Sequence, residues 1–431
     1  MSQKKDRISV LTLGCSKNTV DSENMLGVFK EAGFNISKDY NNTDYLVINT
    51  CGFIKTAKEE SIQVILDAIE SKKRGDLKKV IVCGCLAERY MEVLKNQIDD
   101  VDLFSGLNSV REILLHLKPD FKKELTEERV LLTPKHFAYL KISEGCNHKC
   151  SFCSIPLIRG KYISRAENDI INEAKSLAKK GVIELNIIAQ DTTYYGIDTQ
   201  GKSQLAGLLK KTSDIEGLSW IRLLYTYPLN FPYEILDVIN ERANICKYID
   251  IPLQHVSSGI LKDMKRKMNH KQTSELVDII RDKVKNVAIR STFITGFPGE
   301  TDKDFQMLYD FINEKKLDRV GVFTYSHEEG TSAFELGDSV PEEIKNQRRD
   351  ELMKLQMQIS LERNRSFIGK DVKVIIDNVD KSKNYVGRTE HDAPDVDNAV
   401  LVKSKKKLNI GDFYNVRITD ASEYDLIGKL F

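Results

Sequence analysis

Residues 144–153 read EGCNHKCSFC and carry three cysteines, Cys146, Cys150 and Cys153. Spacings of four and three residues place three thiolates on one short loop, enough to hold three irons of a four-iron cluster while the fourth iron stays open. A cluster used only for electron transfer takes a fourth thiolate, so an open iron indicates that an outside molecule binds there and is reduced. A zinc site short of one ligand and three unrelated cysteines are the alternatives.

A regular alternation of strand-like and helical patterns surrounds this loop. Six β-rich runs are separated by helical stretches: FAYLKIS at 137–143, VIELNIIAQD at 182–191, WIRLLYTYP at 220–228, YIDIPLQ at 248–254, NVAIRSTFITGF at 286–297 and RVGVFTYS at 319–326. This pattern predicts a partial, TIM-like (β/α)6 barrel. Active groups of such barrels lie at the carboxyl ends of the strands, and the three-cysteine loop directly follows the first strand.

Polar residues and a glycine–proline turn follow three of the other strands. They are Gln190, Asp191 and Thr192 after the second strand, Gln254 and His255 after the fourth, and Gly296, Phe297, Pro298 and Gly299 after the fifth. Glycine removes the Cβ and proline fixes the chain path, so such a turn lets the backbone approach a planar adenine. We assign Gln190 and the turn to cofactor binding, and Asp191, Gln254 and His255 to the substrate. An ordinary turn and a locally satisfied histidine are the alternatives.

Two arginines follow the cysteine loop closely. Arg159 and Arg165 lie in IPLIRGKYISR at 155–165. A guanidinium group at this place could meet a carboxylate of cofactor or substrate through two parallel hydrogen bonds. We assign Arg165 to the cofactor and Arg159 to the substrate, with a surface position or a structural ion pair as the alternative for each.

Three β-rich runs near the amino terminus each end in, or lead into, a cysteine. They are ISVLTLG at 8–14, YLVINT at 45–50 and KVIVCG at 79–84, with helical patterns between them. The alternation predicts a doubly wound parallel sheet, in which ligands bind at the carboxyl ends of the strands. Cys15, Cys51 and Cys85 follow those ends, so we predict that they converge as a second three-cysteine site. The alternative is that free cysteines are simply buried on strands.

Two further cysteines lie outside both triads. Cys83 precedes Cys85 by two residues and by strand alternation faces the same side, so geometry alone leaves it open as a ligand. Cys246 stands alone in a predicted helix-to-strand connection, where we expect it to serve packing.

An all-β tail follows a long polar helical pattern. Its five candidate strands are DVKVIIDNV at 371–379, YVGRT at 385–389, AVLVK at 399–403, FYNVRITDAS at 413–422 and DLIGKLF at 425–431. They predict a small five-stranded barrel. The chain is therefore α/β overall and divides into three predicted domains, residues 1–125, 132–366 and 367–431.

Composition narrows the class of protein. The chain of 431 residues is 41% hydrophobic and 30% charged with a net charge of +1, which gives no overall bias toward nucleic acid or membrane. Its first residues have too short an apolar run for a signal peptide, and no stretch approaches the ~20 apolar residues of a membrane helix. We therefore expect a cytoplasmic protein, in which eight cysteines are better explained by metal than by disulfides.

The charge of the tail bears on its partner. From Phe367 to Phe431 there are eleven lysines and arginines and eleven aspartates and glutamates, a net charge of zero. A module that grips RNA should show a basic excess, so nucleic acid is not expected as the substrate. The acidic stretch TEHDAPDVDN at 389–398 suits a basic partner better than an RNA backbone.

The C-x3-C-x2-C spacing, with the aromatic Phe152 before the third cysteine, resembles the signature of the radical S-adenosylmethionine superfamily. The resemblance implies a [4Fe-4S] cluster on Cys146, Cys150 and Cys153, with S-adenosylmethionine held on its open iron. One electron then splits a carbon–sulfur bond of the cofactor and gives a 5′-deoxyadenosyl radical. The turn GFPGE at 296–300 resembles the adenine-contacting turn of these enzymes.

The amino-terminal part and the tail resemble the methylthiotransferase family. LGCSKNTVDSE at 13–23, VINTCGFI at 47–54 and VCGCLAERY at 82–90 are similar to its first domain, and the tail is similar to its closing TRAM domain. The resemblance implies a second [4Fe-4S] cluster on Cys15, Cys51 and Cys85 that supplies or holds the sulfur inserted into substrate. Cys83 matches no family ligand, which favours a structural role.

Motifs across the whole chain resemble the branch that methylthiolates an aspartate of small-subunit ribosomal protein number twelve. They are CSFCSIPLIRGKYISR at 150–165, IAQDTTYYG at 188–196, YSHEEGTSA at 325–333 and GRTEHDAPDVDN at 387–398. The resemblance implies that ribosomal protein as substrate, a sulfur donor, and an electron donor such as a flavodoxin or ferredoxin. The alternatives are the sister branch, which acts on a transfer RNA adenosine, and a non-enzymatic iron–sulfur sensor.

Overall fold

The structure is a computed structural model that describes residues 6–123 and 128–430. Residue 125, where the first predicted domain ends, and the final Phe431 of the last predicted strand lie outside the described residues. Contacts divide the chain into two compact units: residues 1–133, 145–147 and 153–161 form the first, and residues 134–144, 148–152 and 162–431 form the second. The division into three domains stays a prediction.

The first unit contains a parallel sheet flanked by helices. Its strands are β1 Arg7–Thr12, β2 Asn35–Ile36, β3 Tyr45–Thr50, β4 Lys79–Gly84 and β5 Leu103–Phe104. Its helices are α1 Ser16–Glu31, α2 Lys55–Lys73, α3 Cys85–Gln97, α4 Val110–Leu117 and α5 Ile155–Arg159. The strand order is β2-β1-β3-β4-β5 and every pairing is parallel, which confirms the doubly wound sheet.

Both faces of this sheet are buried. Neighbouring residues of one strand enter different apolar cores: Val47 packs with the α1 side, whereas Ile48 packs with the α2 side. A strand that is covered on both faces must be apolar at nearly every position, as YLVINT and KVIVCG are. Cys83 is buried in the α1-side core, where it serves packing.

The second unit contains a six-stranded parallel sheet, a small barrel and one short hairpin pairing. The sheet and hairpin strands are β6 Phe137–Lys141, β7 Ser143–Glu144, β8 Ile163–Ser164, β9 Glu184–Ile188, β10 Trp220–Leu223, β11 Ile245–Asp250, β12 Ala288–Thr295 and β13 Arg319–Thr324. The helices are α6 Glu167–Lys179, α7 Ile197–Gln200, α8 Leu205–Ser213, α9 Glu234–Glu241, α10 Ser258–Asp263, α11 His270–Lys283, α12 Asp302–Lys315 and α13 Glu342–Arg365, with a 3-10 turn at Phe334–Leu336.

The six-stranded sheet is an open, partial barrel, as predicted. Its order β13-β12-β11-β10-β9-β6 follows the chain, and β6 and β13 are its two edges. The short β7 and β8 pair with each other on either side of the cysteine loop. Cys246 is buried within β11 rather than in a connection, so its predicted place was wrong, although its burial fits packing. None of the described helices is long and apolar enough to cross a membrane.

The tail forms the predicted five-stranded barrel. Its strands are β14 Asp371–Val379, β15 Tyr385–Arg388, β16 Val400–Lys403, β17 Phe413–Ala421 and β18 Leu426–Leu430. They close in the order β14-β15-β16-β18-β17 around a core of valine, isoleucine and leucine side chains. The long polar α13 leads into this barrel.

The acidic stretch 389–398 of the tail packs against the central sheet. Asp392 accepts a hydrogen bond from Arg319 at 2.5 Å, and Asp397 accepts one from Tyr248 at 2.6 Å. Both carboxylates are buried, Asp392 at 2% exposure. The prediction that this stretch meets a basic partner is therefore wrong for these two aspartates, because arginine and tyrosine side chains of the same chain occupy them.

A buried ion-pair network joins the tail to the first residues of the sheet. Arg388 donates to both carboxylate oxygens of Glu184, at 3.1 and 2.8 Å, and to both of Asp377, at 2.7 and 2.9 Å. Arg222 donates to Glu184 at 3.3 Å from the other side. Burial alone would raise the pKa of Glu184, but the guanidinium groups of Arg388 and Arg222 outweigh it and hold the pKa below its usual value.

Candidate metal centres

Three cysteines of the first unit stand at the carboxyl ends of its strands. Cys15 precedes α1, Cys51 directly follows β3, and Cys85 is the first residue of α3, directly after β4. The strands β1 and β3 are neighbours in the sheet, and the helices that follow them cover opposite faces. The topological switch point of the sheet therefore lies between the carboxyl ends of β1 and β3. Ligands of doubly wound sheets bind at such a point.

The three strand-end thiols lie close to one another. A Cβ placed on Gly14 would stand 2.9 Å from Cys51 Sγ, so the loop that carries Cys15 runs directly against Cys51. Burial raises the pKa of Cys85 to about 12, and negative charge on Cys15 or Cys51 would raise it further. The three strand-end cysteines are therefore neighbours in this unit, and their role as a cluster site stays a prediction.

Asn18 ties the ends of two strands together beneath these thiols. Its Nδ2 donates to the Leu13 carbonyl at 2.8 Å and to the Thr50 carbonyl at 3.1 Å. Its Oδ1 accepts from Cys85 Sγ at 3.6 Å. The side chain is fully buried, so one amide positions the chain just before two of the three cysteines and contacts the third.

Arg159 reaches the same place from the last residue of α5. Its Nη2 lies 3.7 Å from Cys85 Sγ, donates to Asn18 Oδ1 at 2.6 Å and contacts Asp21 Oδ2 at 3.0 Å. The structure therefore places Arg159, a predicted substrate residue, against the strand-end cysteines.

The donor chemistry of this set fits an iron–sulfur cluster. None of the eight cysteines, all of which the structure describes, forms a disulfide bond, and soft thiolate ligands select iron–sulfur clusters, zinc and copper(I). Burial raises the pKa of Cys51 and of Cys85, so these thiols need a nearby cation before they ionise. In the part of the chain that the structure describes, no three His, Cys, Asp or Glu side chains stand in a ready-made metal-binding arrangement.

The loop of Cys146, Cys150 and Cys153 lies between β7 and α5. The Cys146 amide donates to the Gly160 carbonyl at 3.1 Å. Gly145 has φ +70°, and a Cβ there would stand 2.1 Å from the Lys161 carbonyl oxygen. Only glycine fits at that position, which explains the residue before the first cysteine.

Cys150 contacts two side chains of the second unit. Tyr227 Oη lies 3.5 Å from Cys150 Sγ, and Arg266 Nη1 lies 3.6 Å from the same sulfur. The guanidinium group also stacks over the Tyr227 ring at 4.1 Å and donates to the Pro252 carbonyl at 2.5 Å. Hydrogen bonds to a ligand sulfur tune the reduction potential of a cluster, so both side chains suit a cluster ligand at Cys150.

His148 connects this loop to Asp191. The ring stacks on Tyr227 with 3.6 Å between centroids, and Nε2 lies 2.6 Å from Asp191 Oδ2. The other oxygen of Asp191 accepts from the Thr193 amide at 2.8 Å and the Thr193 hydroxyl at 2.5 Å. Asp191, which we had assigned to substrate, thus holds His148 and its own turn in place.

The glycine–proline turn follows β12 and is held by Glu300. The Glu300 carboxylate accepts from the Gly296 amide at 2.6 Å and the Phe297 amide at 3.3 Å, and Arg348 donates to it at 3.0 Å. The Phe297 side chain is fully buried. Gly299 donates its amide to Ser339 at 3.0 Å. The amides of this turn are therefore used within the chain, and Pro298 has none.

His255 is brought to the same turn. Its Nε2 lies 4.0 Å from Glu300 Oε2, and its Nδ1 accepts from the Ser257 amide at 3.0 Å. Burial lowers the pKa of His255 to about 4, so the ring is neutral at pH 7 with its proton on Nε2. The neighbouring Gln254 has φ +71° and bridges to Phe293 of β12.

Arg165 and Gln190 are the two other residues that we predict to bind the cofactor. Arg165 donates to the Lys141 carbonyl at 2.6 Å and pairs with Glu173 at 2.6 Å. Gln190 follows β9 and is half-buried, directly before the aspartate that holds His148. The assignment of both residues to the cofactor stays a prediction.

Sequence reasoning missed several residues that contact the predicted site residues of the two units. They are Asn18, His148, Tyr227, Arg266 and Glu300. Asn18, His148 and Glu300 stand inside motifs already singled out, three residues after Cys15, between the first two loop cysteines and at the end of GFPGE, so closer reading of those motifs could have found them. Nothing in the local sequence of the other two residues points to Cys150.

Three family models match successive parts of the chain. The uncharacterized protein family UPF0004 matches residues 7–106, the radical SAM superfamily matches residues 140–312, and the TRAM domain matches residues 368–430. The radical SAM match implies S-adenosylmethionine and a [4Fe-4S] cluster as cofactors.

Curated relatives match over the full length, and solved structures share the fold. Ribosomal protein uS12 methylthiotransferase RimO of Cytophaga hutchinsonii is 48% identical over 99% of this chain and 98% of its own, and RimO of Chloroherpeton thalassium is 48% identical over 100% of both. The radical S-adenosylmethionine methyltransferase TsrM of Kitasatospora setae matches with a TM-score of 0.51 at 12% identity, over 74% of this chain and 75% of its own. The chain belongs to the RimO family of radical S-adenosylmethionine methylthiotransferases.

Proposed function

We propose that this enzyme inserts a methylthio group at the β-carbon of an aspartate in ribosomal protein uS12, using two [4Fe-4S] clusters and S-adenosylmethionine. Cys146, Cys150 and Cys153 hold the cluster that binds the cofactor. The strand-end cysteines Cys15, Cys51 and Cys85 hold the second cluster. The observation that carries the proposal is the convergence of these three thiols at the switch point of a chain that also has the C-x3-C-x2-C loop.

The cofactors supply the hard chemistry. When bound, S-adenosylmethionine beside a reduced cluster would supply a radical that can remove hydrogen from an unactivated carbon, a second molecule of it would supply the methyl group, and the second cluster would supply the sulfur. An acid or base of the protein cannot remove so weakly acidic a hydrogen. The side chains therefore position groups and exclude water.

The chain's own residues have distinct tasks in this proposal. Tyr227 and Arg266 hold Cys150, and His148 fixes the loop to Asp191. Glu300 holds the turn at Gly296 that is similar to the adenine-contacting turn of the superfamily. A neutral His255 beside Glu300 keeps that turn free of a second positive charge next to Arg348.

The protein depends on partners for electrons and sulfur. The cluster of the loop must be reduced before each cofactor cleavage, for which a flavodoxin or ferredoxin is the proposed donor. Sulfur that leaves with the product must be replaced by a sulfur donor. Such partners and a ribosomal substrate place the enzyme in the cytoplasm.

Methylthiolation of a transfer RNA adenosine is not favoured. The full-length relatives carry the name of the ribosomal protein enzyme. The tail has a net charge of zero, whereas an RNA-binding module needs a basic excess.

Mass spectrometry of uS12 tests the function. The reconstituted enzyme is incubated anaerobically with uS12, S-adenosylmethionine, sulfide and a reductant. We expect a mass gain of one methylthio group on one aspartate. Unmodified uS12 together with methylthio-adenosine in added transfer RNA would contradict the proposal.

Cysteine variants test the division between the two clusters. Cys146→Ala should abolish formation of 5′-deoxyadenosine, whereas Cys51→Ala should keep that cleavage and lose sulfur insertion. Iron analysis should show that each variant loses about half of the bound iron, because each disrupts one of two equal clusters. Catalytic sulfur insertion by Cys51→Ala would contradict the division.

A further inference from the structure

Arg159 is a buried cation with an unusual set of neighbours. Its single Nη2 atom contacts Cys85 Sγ at 3.7 Å, Asn18 Oδ1 at 2.6 Å and Asp21 Oδ2 at 3.0 Å. Its side chain is 1% exposed, and that of Asp21 is 19% exposed. A charge that is removed from water acts strongly on its neighbours, because water no longer screens it.

The backbone around Arg159 keeps the guanidinium in place. α5 packs against α3, whose first residue is Cys85. Ser154, just before α5, donates to the Phe53 carbonyl at 3.4 Å, and the Gly160 carbonyl accepts from the Cys146 amide at 3.1 Å. The chain is therefore held by hydrogen bonds at both ends of the short helix that ends in Arg159.

We propose that Arg159 is a positioning residue for the second cluster: it donates a hydrogen bond to the Cys85 thiolate and, with Asp21 as its counter-charge, sets the reduction potential of that cluster. The inference rests on the proposed function, in which Cys85 is a cluster ligand. Asn18 completes the arrangement, because its Oδ1 accepts from Arg159 and so turns the guanidinium toward the sulfur.

The direction of each effect follows from charge. A reduced cluster carries one more negative charge than an oxidised cluster, so a nearby cation stabilises the reduced form and makes the reduction potential more positive. A nearby anion does the opposite. Arg159 and Asp21 should therefore act on the potential with opposite signs, although they form one ion pair.

Shifts of opposite sign in the reduction potential distinguish this role of Arg159 from a merely structural role. Arg159→Gln removes the cation and should shift the potential to a more negative value. Asp21→Asn removes an anion that pairs with the cation and should shift the potential to a more positive value. Arg159→Lys keeps the charge and should return the potential most of the way to that of the unchanged protein.

An exposed lysine nearby serves as the matched control. Lys161 stands two residues after Arg159 in the chain and is exposed. Lys161→Gln removes the same charge from a site that water screens, so the potential should stay the same.

The experiment is a redox titration of one cluster at a time. Full-length protein in which Cys146, Cys150 and Cys153 are all replaced by alanine is reconstituted with iron and sulfide, and its remaining cluster is titrated anaerobically by electron paramagnetic resonance and absorbance. The Arg159, Asp21 and Lys161 variants are made in this background, and iron is measured for each. We expect one cluster's iron in the background, and shifts of opposite sign for Arg159→Gln and Asp21→Asn.

The outcomes distinguish the inference from the function on which it rests. Full iron with unchanged potentials, or shifts of the same sign in both variants, overturns the role of Arg159 and leaves the second cluster in place. A background protein that binds no iron overturns the second cluster and this inference together. If Arg159→Gln fails to keep iron, the Asp21→Asn and Arg159→Lys potentials still decide the sign.

Discussion

The two ends of the central strands are built in opposite ways. At the amino-terminal end, Arg388, Glu184 and Arg222 form buried ion pairs. At the carboxyl end, Tyr227 and Arg266 instead contact the sulfur of Cys150. The charged groups of one end pair with each other, whereas side chains of the other end contact a thiol that suits a metal ligand.

The difference shows where stability and chemistry are separated in this fold. A barrel of this kind carries its active groups at the carboxyl end, so changes there should alter activity, and changes at the opposite end should alter stability.

Cys150→Ala should abolish cleavage of S-adenosylmethionine and leave the fold intact. The variant removes one proposed ligand of the loop cluster together with the acceptor for Arg266 and Tyr227. Formation of 5′-deoxyadenosine, measured by chromatography, should fall to background, and the melting temperature of the metal-free protein should change little.

Cys246→Ala is the matched control for that variant. Cys246 is buried within β11 at 1% exposure, and we assign it to packing. Its replacement should lower the melting temperature and keep cofactor cleavage. Persistent cleavage in Cys150→Ala, or its loss in Cys246→Ala, would break the assignment of chemistry to the loop.

Glu184→Ala should lower the free energy of unfolding by about 3–5 kcal/mol, because it leaves the buried charges of Arg388 and Arg222 without a shared partner. Urea denaturation of the metal-free protein measures this change. Cofactor cleavage per folded molecule should stay the same, since Glu184 begins β9 at the opposite end from the cysteine loop.

An exposed ion pair of the tail provides the comparison. Arg417 and Asp371 pair on the surface with side chains 47% and 41% exposed. Asp371→Ala should change the free energy of unfolding little, because water screens such a pair. An equal loss of unfolding free energy in Glu184→Ala and Asp371→Ala would show that burial does not strengthen the contribution of the ion pairs at the amino-terminal end.

The folds of all three regions could be predicted from the sequence because their patterns are local. Strand and helix periods indicated the doubly wound sheet, the open barrel and the small closed barrel, and strand ends predicted where Cys15, Cys51 and Cys85 converge. The spacing of the loop cysteines likewise needed no knowledge of distant contacts.

Contacts between distant residues could not be predicted in the same way. Arg266 reaches Cys150 across 116 positions of sequence, and Arg319 reaches Asp392 across 73. The sequence alone does not show which groups surround an acidic run. The stretch 389–398 was therefore interpreted as a surface for an external basic partner. Only the packing of the tail on the sheet shows that arginines within the chain neutralise part of it.

Gly296→Ala should destabilise the turn that follows β12. Gly296 has φ +73°, and a Cβ there would stand 2.1 Å from Lys345 Cγ, so strain and overlap together should cost about 2–4 kcal/mol. Equilibrium binding of S-adenosylmethionine should weaken as the turn shifts.

Gly299→Ala separates these two causes. Gly299 has φ +83° with nothing within 4 Å of an added Cβ, so only backbone strain applies and the loss should be about 1 kcal/mol. Thermal denaturation of both variants measures the difference. Equal losses would show that the contact with Lys345 does not matter.

His255 should make the protein less stable as the pH falls. Burial lowers its pKa from 6.5 to about 4, so the folded state resists protonation, and stability is lost progressively as the pH falls below 6.5. Between pH 7 and pH 5 the loss should be about 2 kcal/mol. Urea denaturation at the two pH values measures it.

His255→Asn should remove this component, since the amide oxygen of asparagine can still accept from Ser257. Burial also raises the pKa of Glu300 to about 7, which stabilises the fold on acidification. That opposite contribution is present in both proteins, so it cancels when the pH dependence of the variant is subtracted from that of the unchanged protein. Equal pH dependence in the two proteins would mean that folding leaves the pKa of His255 at its ordinary value. A gain of stability on acidification that His255→Asn removes would instead mean that His255 forms an ion pair with Glu300, like the ion pairs at the opposite end of the strands.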